Sequence, residues 1–309
     1  MMNGRLLIDG HDAYTEYGVY VEEQGWNELI AFPPLKAYDS NDWQEEDGIE
    51  ADLTSPVLDT KEVQVNFATG DFSLFCAFID LLSDGAYHTF NIVSLGRSYR
   101  LRLTQQPNMD YAKSLSKATL KFADDFPLLN YSYLAPQSTI ITSLDYEIDN
   151  IPTTAYGVTV LQGTMSEVTK IPQVKLNLLR NIRTQSGAIY DDEAVTFKAK
   201  DVKLDCLMRA ENLSQLWRNW DALLYNLTQS GERILCVNDI ATEFPVCYKN
   251  CQVQEFYPDT RPWLKFTLTV TFLHDFRITD DAILSTEDGY VVFTEDNEYA
   301  IDLNVINLL

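Results

Sequence analysis

An internal repeat constrains the fold of this chain more than any other feature of its sequence. The segment DTKEVQVNF at residues 59–67 has a counterpart, KAKDVKLDC, at residues 198–206, which lies 139 positions further along. Both segments place a lysine and an acid before apolar residues at every second position, which is the pattern of a half-buried β-strand. The predicted buried positions are Val63, Val65 and Phe67 in the first segment and Val202, Leu204 and Cys206 in the second.

The surroundings of these two segments repeat as well. The tripeptide YGV at residues 17–19 recurs at residues 156–158, again at a spacing of 139. TLKFADDF at residues 119–126 corresponds to TVTFLHDF at residues 269–276, so the second copy carries about 11 additional residues. A repeat with so long a period indicates two tandem domains rather than a solenoid, and about 120 residues is an ordinary size for each.

Each copy also contains one amphipathic helix pattern. Apolar residues recur at helical spacing from Phe72 to Leu82 and from Leu213 to Leu227, and Gly85 and Gly231 follow as helix-terminating residues. Leu74, Phe78 and Leu81 add a second apolar side to the first helix, which predicts that this helix is covered on both faces. The strands expected after the two helices are residues 87–93 and 98–103 in the first copy and residues 232–237 and 244–253 in the second.

We therefore expect a mainly β (α+β) protein with two tandem β-sandwich or barrel domains, each with one flanking helix. The expected division is a first domain at residues 1–127, a connector at 128–144, a second domain at 145–276 and a C-terminal β-hairpin arm at 277–309. Thr-Glu-Asp occurs twice in the arm around alternating apolar residues, which is typical of a hairpin. Packing on its own second domain and pairing with a neighbouring subunit are both open for the arm.

The formal net charge of −23 is the strongest feature of the composition. It excludes a protein that grips nucleic acid through its phosphates, because such a protein needs a cationic surface. It does not exclude a protein past which DNA slides, since an acidic wall repels the phosphate backbone. The alternative interpretation is that the acidic charge only keeps the protein soluble.

Chemistry at a catalytic, cofactor or metal site has little support in the sequence. No phosphate-binding loop, nucleophile elbow or metalloprotease motif is present, and carboxylates are too abundant for any pair to be informative. The five cysteines lie in apolar patterns and are predicted to be core thiols, and the three histidines are far apart. The expectation is therefore no enzyme, no cofactor and no metal site. The apolar stretches are also too short for a membrane span, and no secretion signal is evident, which favours folding in a cytoplasm.

The charge differs between equivalent parts of the two copies. Residues 38–62 contain nine acids and one base, whereas residues 170–203 contain seven bases and four acids. This complementarity is expected if first and second copies lie side by side around a ring, and a solvated loop is the alternative for each segment. The candidate contacts between subunits are Glu45, Glu46, Asp47, Glu50, Lys175, Arg180 and Arg183.

The chain resembles a known family in several stretches. The opening LLIDGHDAYTEYGVYV, the DTKEVQVNF strand, the apolar helix and the closing TLKFADDF are similar to the N-terminal domain of phage distal tail proteins and, more broadly, to the phage tail-tube fold. The second copy repeats this series from YEIDNIPTTAYGVTV to TVTFLHDF. The resemblance implies domains whose strands join those of neighbours in a ring around a DNA channel. Distal tail proteins carry one such unit and form six-membered rings, whereas tail hub proteins carry two per chain and form trimers with pseudo-sixfold symmetry.

The resulting expectation is a structural protein of the virion tail tip or baseplate, assembled in the bacterial host cytoplasm. Its partners would be other copies of itself, the tail tube and further tail-tip proteins, with DNA only as passing cargo. The duplication favours a trimer with pseudo-sixfold symmetry over a hexamer, because three chains with two units each supply six units. Glu62, Gln64 and Asn66 are the candidates for the channel lining. The alternative function is a carbohydrate-binding or host-adhesion module with exposed tryptophans, for which Trp26, Trp43 and Trp263 are candidates.

Overall fold

Two sheets of seven strands form the framework of the described part of the protein. The computed structural model describes residues 5–112, 115–128, 131–140, 145–175, 179–180, 182–184, 186–190 and 195–276, with the backbone alone at 179, 180 and 190. The predicted C-terminal arm, at 277–309, lies outside the described residues. Both sheets belong to one compact unit that ends at Asp275. We refer to residues 5–128 as the first half and to residues 145–275 as the second half.

The first half holds the first sheet, a small hairpin and three helices. Its strands, in chain order, are β1 (Leu6–Ile8), β2 (His11–Asp12), β3 (Val19–Val21), β4 (Ser40–Asn41), β5 (Glu50–Ala51), β6 (Lys61–Thr69), β7 (His88–Ile92), β8 (Arg97–Asp110) and β9 (Ser116–Asp124). Its helices are α1 (Ala13–Tyr17), α2 (Asn27–Ile30) and α3 (Phe72–Leu82). The seven-stranded sheet has the order β2-β1-β7-β8-β9-β6-β3, while β4 and β5 form a separate hairpin.

The second half has the same arrangement. Its strands are β10 (Tyr146–Ile148), β11 (Ile151–Pro152), β12 (Val158–Val160), β13 (Leu179–Arg180), β14 (Ile189–Tyr190), β15 (Lys200–Arg209), β16 (Arg233–Val237), β17 (Thr242–Tyr257) and β18 (Trp263–Phe272). Its helices are α4 (Thr164–Thr169) and α5 (Leu213–Leu227), and a 3-10 turn at Thr153–Tyr156 takes the place of α1. The sheet order is β11-β10-β16-β17-β18-β15-β12, which matches the first sheet strand for strand. The prediction of a mainly β protein is therefore confirmed.

The repeated strand segments form β6 and β15, as predicted. β6 pairs antiparallel with β9, and β15 pairs antiparallel with β18. β9 and β18 are the strands that come last along the chain in their respective sheets. The predicted buried positions in both strands are all 2% exposed or less. Aromatic rings complete the core of the first half, with Phe67 in edge contact with Phe78 of α3 at 5.5 Å and Phe90 with Phe122 at 5.0 Å. The alternating pattern thus places one face of each strand in a packed core.

Both predicted helices are present with the predicted bounds. Asp71 caps α3 through bonds from the amides of Ser73 and Leu74, and Asn212 caps α5 through a bond from the amide of Gln215. On the predicted second side of α3, Phe78 is fully buried but Leu74 is 41% exposed, so the expectation that the helix is covered on both faces is wrong. A single buried stripe that includes Phe75 and Phe78 is enough to hold this short helix against the sheet.

Loop contacts repeat at the same spacing as the strands. A single β-bridge joins Leu35 to Leu58 in the first half, and another joins Val174 to Phe197 in the second. Val174 lies 139 positions after Leu35, and Phe197 lies 139 positions after Leu58. Lys61 donates from its Nζ to the carbonyl of Leu29 at 2.6 Å, and Lys200 donates to the carbonyl of Val168 at 2.5 Å. These carbonyls belong to α2 and α4, and a lysine cation stabilises the negative C-terminal end of a helix. The repeated lysine of the sequence therefore has the same local role in each half.

Candidate interaction site

The hairpin loop of the first half lies against the second half of the same chain. This loop, residues 42–49, connects β4 to β5. The amide of Gly48 donates to the carbonyl of Phe197 at 2.7 Å, and the amide of Ile49 donates to the carbonyl of Leu273 at 2.8 Å. In return the amide of Phe197 donates to Oδ1 of Asp47 at 2.8 Å. Two backbone bonds from the loop and one bond from the Phe197 amide to the Asp47 carboxylate fix the position of the loop on its partner.

Lys175 of the second half is enclosed by this loop. Its Nζ lies 2.6 Å from Oδ1 of Asp42 and donates to the carbonyl oxygens of Trp43 at 2.6 Å, Glu46 at 2.8 Å and Gly48 at 2.7 Å. The Lys175 side chain is only 1% exposed. A buried ammonium group is tolerated where oxygen atoms replace the water it has lost, and this loop supplies them.

Gly48 is required at its position for two reasons. Its φ of 73° is in the left-handed region, which side chains other than glycine rarely adopt. In addition, a Cβ atom on Gly48 would lie 1.7 Å from the carbonyl oxygen of Leu273. The close approach of the loop to the second half therefore depends on the absence of a side chain at this residue.

A second contact joins the segment after α2 to helix α5. The ring of Phe32 lies 3.9 Å from the ring of Trp220, measured between centroids, and Nε1 of Trp220 donates to the carbonyl of Ile30 at 3.0 Å. Tyr248 of β17 donates its hydroxyl to the carbonyl of Pro33 at 2.9 Å. All three aromatic side chains are buried. This contact is an aromatic core with its polar atoms satisfied by backbone carbonyls.

An ion pair extends the contact along α5. Nη2 of Arg97, at the start of β8, lies 2.5 Å from Oδ1 and 2.6 Å from Oδ2 of Asp221. The same guanidinium lies 4.7 Å from the centroid of the Trp217 ring, whose Nε1 donates to the carbonyl of Leu95 at 2.7 Å. Both side chains are partly buried, so removal of either partner would leave a charge with little water to replace it.

These contacts define two different surfaces. We call the surface that the first half contributes the hairpin face, defined by Ile30, Phe32, Leu95, Arg97 and residues 42–49. The surface that the second half contributes is the helix face, defined by Lys175, Thr196, Phe197, Trp217, Trp220, Asp221 and Leu273. Thr196 belongs to the helix face because its hydroxyl donates to the carbonyl of Gln44 at 2.7 Å. The contact is heterologous, since the two halves use different surfaces to make it.

The residues that the sequence proposed as contacts between subunits have different surroundings in the structure. Lys175 and Asp47 make the contacts within one chain that are given above. Glu45, Glu46 and Glu50 are exposed, and Glu50 accepts from Nε1 of Trp43 at 3.3 Å. Arg183 is exposed, and the side chain of Arg180 lies outside the described atoms. The acidic and basic segments do meet at Lys175 within one chain, and whether they also meet between subunits stays a prediction, because nothing in a charge pattern distinguishes one chain from two.

Sequence reasoning missed the glycine and the aromatic residues of this contact. Gly48 recurs as Gly187 at the same spacing of 139, but nothing in the sequence shows why a glycine is needed there. Trp220 is visible in the sequence only as part of the apolar stripe from Leu213 to Leu227. A comparison of the two copies could have found them, because Phe32 and Trp220 stand where the other copy has Ile171 and Ile79. Aromatic residues at only one of two equivalent positions indicate a contact that the other copy makes differently or not at all.

The residues proposed for a channel lining lie on the outer side of β6. Glu62 is exposed, whereas Gln64 and Asn66 are half-buried. The amide of Gln64 donates to Oε2 of Glu28 at 2.7 Å, and Asn66 accepts from the hydroxyl of Thr119 at 3.0 Å. The backbone of Gln64 and the side chain of Asn66 therefore bond to neighbouring residues on the outer surface of the first sheet.

Burial shifts the pKa of several groups in the two halves. Burial lowers the pKa of Lys61 to about 7 and that of Lys200 to about 8. Burial also raises the pKa of the Cys251 thiol to about 12, which makes it inert as a nucleophile.

Within the described ranges, no group of three or more His, Cys, Asp or Glu side chains is placed to hold a metal ion.

The tryptophans proposed for carbohydrate binding are not on one surface. Trp26 is only 2% exposed, so the expectation that it lies on an exposed sheet face is wrong. Trp43 is 51% exposed in the hairpin loop, and Trp263 stacks on Tyr257 with 4.3 Å between ring centroids. Trp26 faces the core because it precedes α2, whose Leu29 and Ile30 are also buried.

No helix among the described residues has the length and apolar character needed to cross a membrane.

No protein-family model matches the sequence, and no curated protein matches it. Among solved structures, the chain is similar to the crystal structure of the SPP1 Dit protein, described as a paradigm of the hub adsorption apparatus in phages that infect Gram-positive bacteria. The sequence identity is 13% and the TM-score is 0.32, and the match covers 86% of this chain and 97% of the Dit chain.

Proposed function

We propose that this chain is a structural protein of a phage tail tip or baseplate, of the distal tail or hub type. It forms a ring around the DNA channel and connects the tail tube to the tip. The observation that carries the proposal is the strand-for-strand agreement of the two sheets, at the residue spacing seen in the sequence. A chain with two equivalent units supplies two of the similar parts that a ring requires.

The two halves are an internal duplication in this proposal, with domains at residues 1–127 and 145–276. Equivalent loop bridges and equivalent helix-capping lysines support the duplication, because such details do not follow from sheet order alone. Three chains then give a ring of six units with pseudo-sixfold symmetry. A ring of six chains is the other stoichiometry that the tail-tube resemblance allows.

The passage of DNA is proposed from the charge. A net charge of −23 prevents the phosphate backbone from adhering to the protein, so a duplex can move through the ring without being held. Glu62, Gln64 and Asn66 on the outer side of β6 are the candidates for the channel lining. The protein needs no catalytic residue or cofactor for this role.

Native mass spectrometry and negative-stain microscopy of the full chain test the proposal. The expected result is a closed ring, with three chains as the favoured number, formed by the chain alone or with its tail-tube partner. The protein should show no measurable affinity for duplex DNA at physiological salt. A strict monomer at high protein concentration, with no rings in the presence of tail partners, would contradict the proposal. Binding on a glycan array by such a monomer would instead favour host adhesion.

A further inference from the structure

A cleft lies between the first sheet and helix α5. It has a volume of about 290 Å³ and is lined by residues of β6, β8, β9 and α5, by α2 and by the residues that follow α2. Alternation along β8 places Arg97 and Tyr99 on the same side of the strand as the buried Leu101. On the next two strands, Lys61 of β6 is paired with Asp124 of β9. Polar side chains therefore line the cleft from three neighbouring strands.

The hydroxyl of Tyr99 is buried and has no hydrogen-bond partner among the described residues. Burial raises the pKa of Tyr99 to about 12, so the hydroxyl keeps its proton at neutral pH and is available as a donor. A buried hydroxyl destabilises a protein unless some group supplies the missing hydrogen bond. Because Tyr99 lines the cleft, a molecule bound there can supply it.

The second half shows that the fold does not need this hydroxyl. Tyr99 pairs with Phe90 of β7, and Phe244 pairs with Leu235 of β16. Phe90 and Leu235 in turn pair with the last residues of β1 and β10, so Tyr99 and Phe244 occupy equivalent positions. Phe244 is fully buried without a hydroxyl. The polar group at this position is therefore particular to the first half.

Two cations add further unused donors to the cleft. Lys61 is 7% exposed, and its ammonium makes one hydrogen bond to the described residues, to a carbonyl of α2. Arg97 binds Asp221 through Nη2, which leaves its Nε and Nη1 without a partner in the described part of the chain. The strand pairing that aligns the two halves places Thr242 at the position of Arg97. The guanidinium is thus a second feature that the other half lacks.

The charges around the cleft favour an anion. The lining contains three bases, Lys61, Arg97 and Arg100, and two acids, Asp124 and Asp221, which gives a net charge of +1 when all five are ionised. The whole chain, in contrast, has 23 lysines and arginines against 46 acids. Arg100 is exposed and makes no ion pair with the described residues. Burial also raises the pKa of Asp124, which favours its uncharged form.

Much of the remaining lining is apolar. The apolar side chains include Ile30, Phe32, Phe126, Leu128, Trp220 and Leu224. A cavity of roughly 150 Å³ with apolar walls is large enough to hold benzene. The cleft therefore has room for an apolar group of this size together with a charged group.

We propose that this cleft binds a small organic carboxylate with an apolar body. The carboxylate accepts hydrogen bonds from the Tyr99 hydroxyl, the Lys61 ammonium and the Arg97 guanidinium, and the apolar body lies against Phe32 and Trp220. The inference concerns a single chain and goes beyond the proposed function. It depends neither on ring formation nor on the passage of DNA.

Benzoate is the probe that tests this inference, with benzyl alcohol as an uncharged molecule of similar size. Calorimetric titration of the full chain at about pH 6, where Lys61 with its pKa of about 7 holds its proton, measures both affinities. Benzoate should bind saturably, and benzyl alcohol should bind at least about tenfold more weakly.

Tyr99→Phe is the deciding variant, because the second half already carries phenylalanine at this position. It should weaken benzoate binding at least about tenfold without lowering the stability of the free protein. Tyr156→Phe is the matched control, since Tyr156 is buried but its hydroxyl accepts from Asn226 and does not line the cleft. This control should bind benzoate as the wild type does.

A charge substitution gives a second test. Arg100→Gln removes an exposed cation from the cleft and should weaken benzoate binding about threefold or more. Lys203→Gln removes a cation from the exposed side of β15 and should leave the affinity unchanged.

Three results would overturn the inference. They are the absence of saturable benzoate binding, equal binding of benzyl alcohol, and an affinity for benzoate that neither Tyr99→Phe nor Arg100→Gln changes. Tighter binding of inorganic phosphate at the same ionic strength would also overturn it, because the ligand class would then be wrong. The proposed function is tested by ring formation and would stand in all of these cases.

Discussion

Lys61 and Lys200 occupy equivalent positions in the two halves and make equivalent hydrogen bonds. Each lysine begins a long strand and directs its ammonium back to the carbonyls of the preceding helix, α2 or α4. The lysine in β6 is 7% exposed, on the same side of the strand as the apolar core residues. A charge in this position costs desolvation energy, which is why burial lowers the pKa of both lysines.

The lowered pKa of Lys61 predicts a dependence of stability on pH. Its pKa is about 7 in the folded protein and that of a lysine in an unfolded chain is near 10.5. Below about pH 7 both states hold the proton, so this residue adds no pH dependence. Between these two pKa values the unfolded state binds more protons, so stability rises with pH. Relative to Lys61→Met, the wild type should gain roughly 3 kcal/mol from about pH 6.5 to about pH 9.5.

Urea denaturation at several pH values measures this difference. Lys203→Met is the matched control, because Lys203 lies on the exposed side of β15. Its stability relative to the wild type should be nearly constant over the same range. A constant difference for Lys61→Met as well would show that the residue is solvated in the folded protein.

Lys175 and Lys36 form a matched pair at equivalent positions. Lys175→Met should destabilise the protein by about 3 kcal/mol, because three carbonyls and the Asp42 carboxylate lose their charged partner. Lys36→Met should change the free energy of unfolding by less than about 0.5 kcal/mol, since the side chain is exposed. Chemical denaturation at low protein concentration, where chains are dissociated, gives both values. Equal effects of the two substitutions would contradict the assignment of Lys175 as the buried cation.

At the scale of elements, the two long helices differ in how much of their surface is used. Both begin at a polar N-cap and both bury one stripe against their own sheet. α5 also buries Trp217 and Trp220 against the first half, whereas Cys76 at the position of Trp217 in α3 is exposed. The apolar period of a sequence predicts that a helix packs on its own sheet. It does not predict which other side of the helix packs against a second part of the protein.

The two hairpins differ in the same way, and this difference predicts unequal effects of one substitution. Gly48→Asn should lower stability by more than about 2 kcal/mol, because even the Cβ atom collides with the carbonyl of Leu273 and the loop must move away. Gly187→Asn should lower it by less than about 1 kcal/mol, since the space around Gly187 is open. Thermal unfolding of the dissociated chains gives the comparison. Similar losses for the two variants would show that the turn conformation alone, and not the docking of the hairpin, sets the requirement for glycine.

At the scale of the whole molecule, the two sheets are joined by a buried interface rather than by the connector alone. Leu53 of the first half packs with Cys247 and Leu273 of the second, and Tyr38 and Ile49 lie against this cluster. Together with the Phe32–Trp220 contact, this cluster continues the core of one half into the other. The halves should therefore unfold as one cooperative unit.

A substitution at the centre of this interface tests the cooperativity. Trp220→Ala removes a fully buried indole and should cost about 3 to 5 kcal/mol. Because the interface couples the halves, hydrogen exchange measured by mass spectrometry should show faster exchange in β6 and β9 of the first sheet as well as in β15 and β18 of the second. Faster exchange confined to the second sheet would show that the halves are independently stable.

The repeated strands, the two long helices and the mainly β class could all be predicted from the amino-acid sequence. These features follow from the spacing of apolar residues within one segment, which is fixed by the geometry of strands and helices. It also indicated that residues 42–49 and Lys175 belong to complementary segments, since charge is visible in the sequence. The folded protein was needed to show that this pair meets within one chain and that Gly48 approaches Leu273 closely. It was also needed to show that Trp26 is buried and that Leu74 is exposed. These properties depend on how two folded halves fit together, and such contacts between distant residues leave no periodic pattern in either partner.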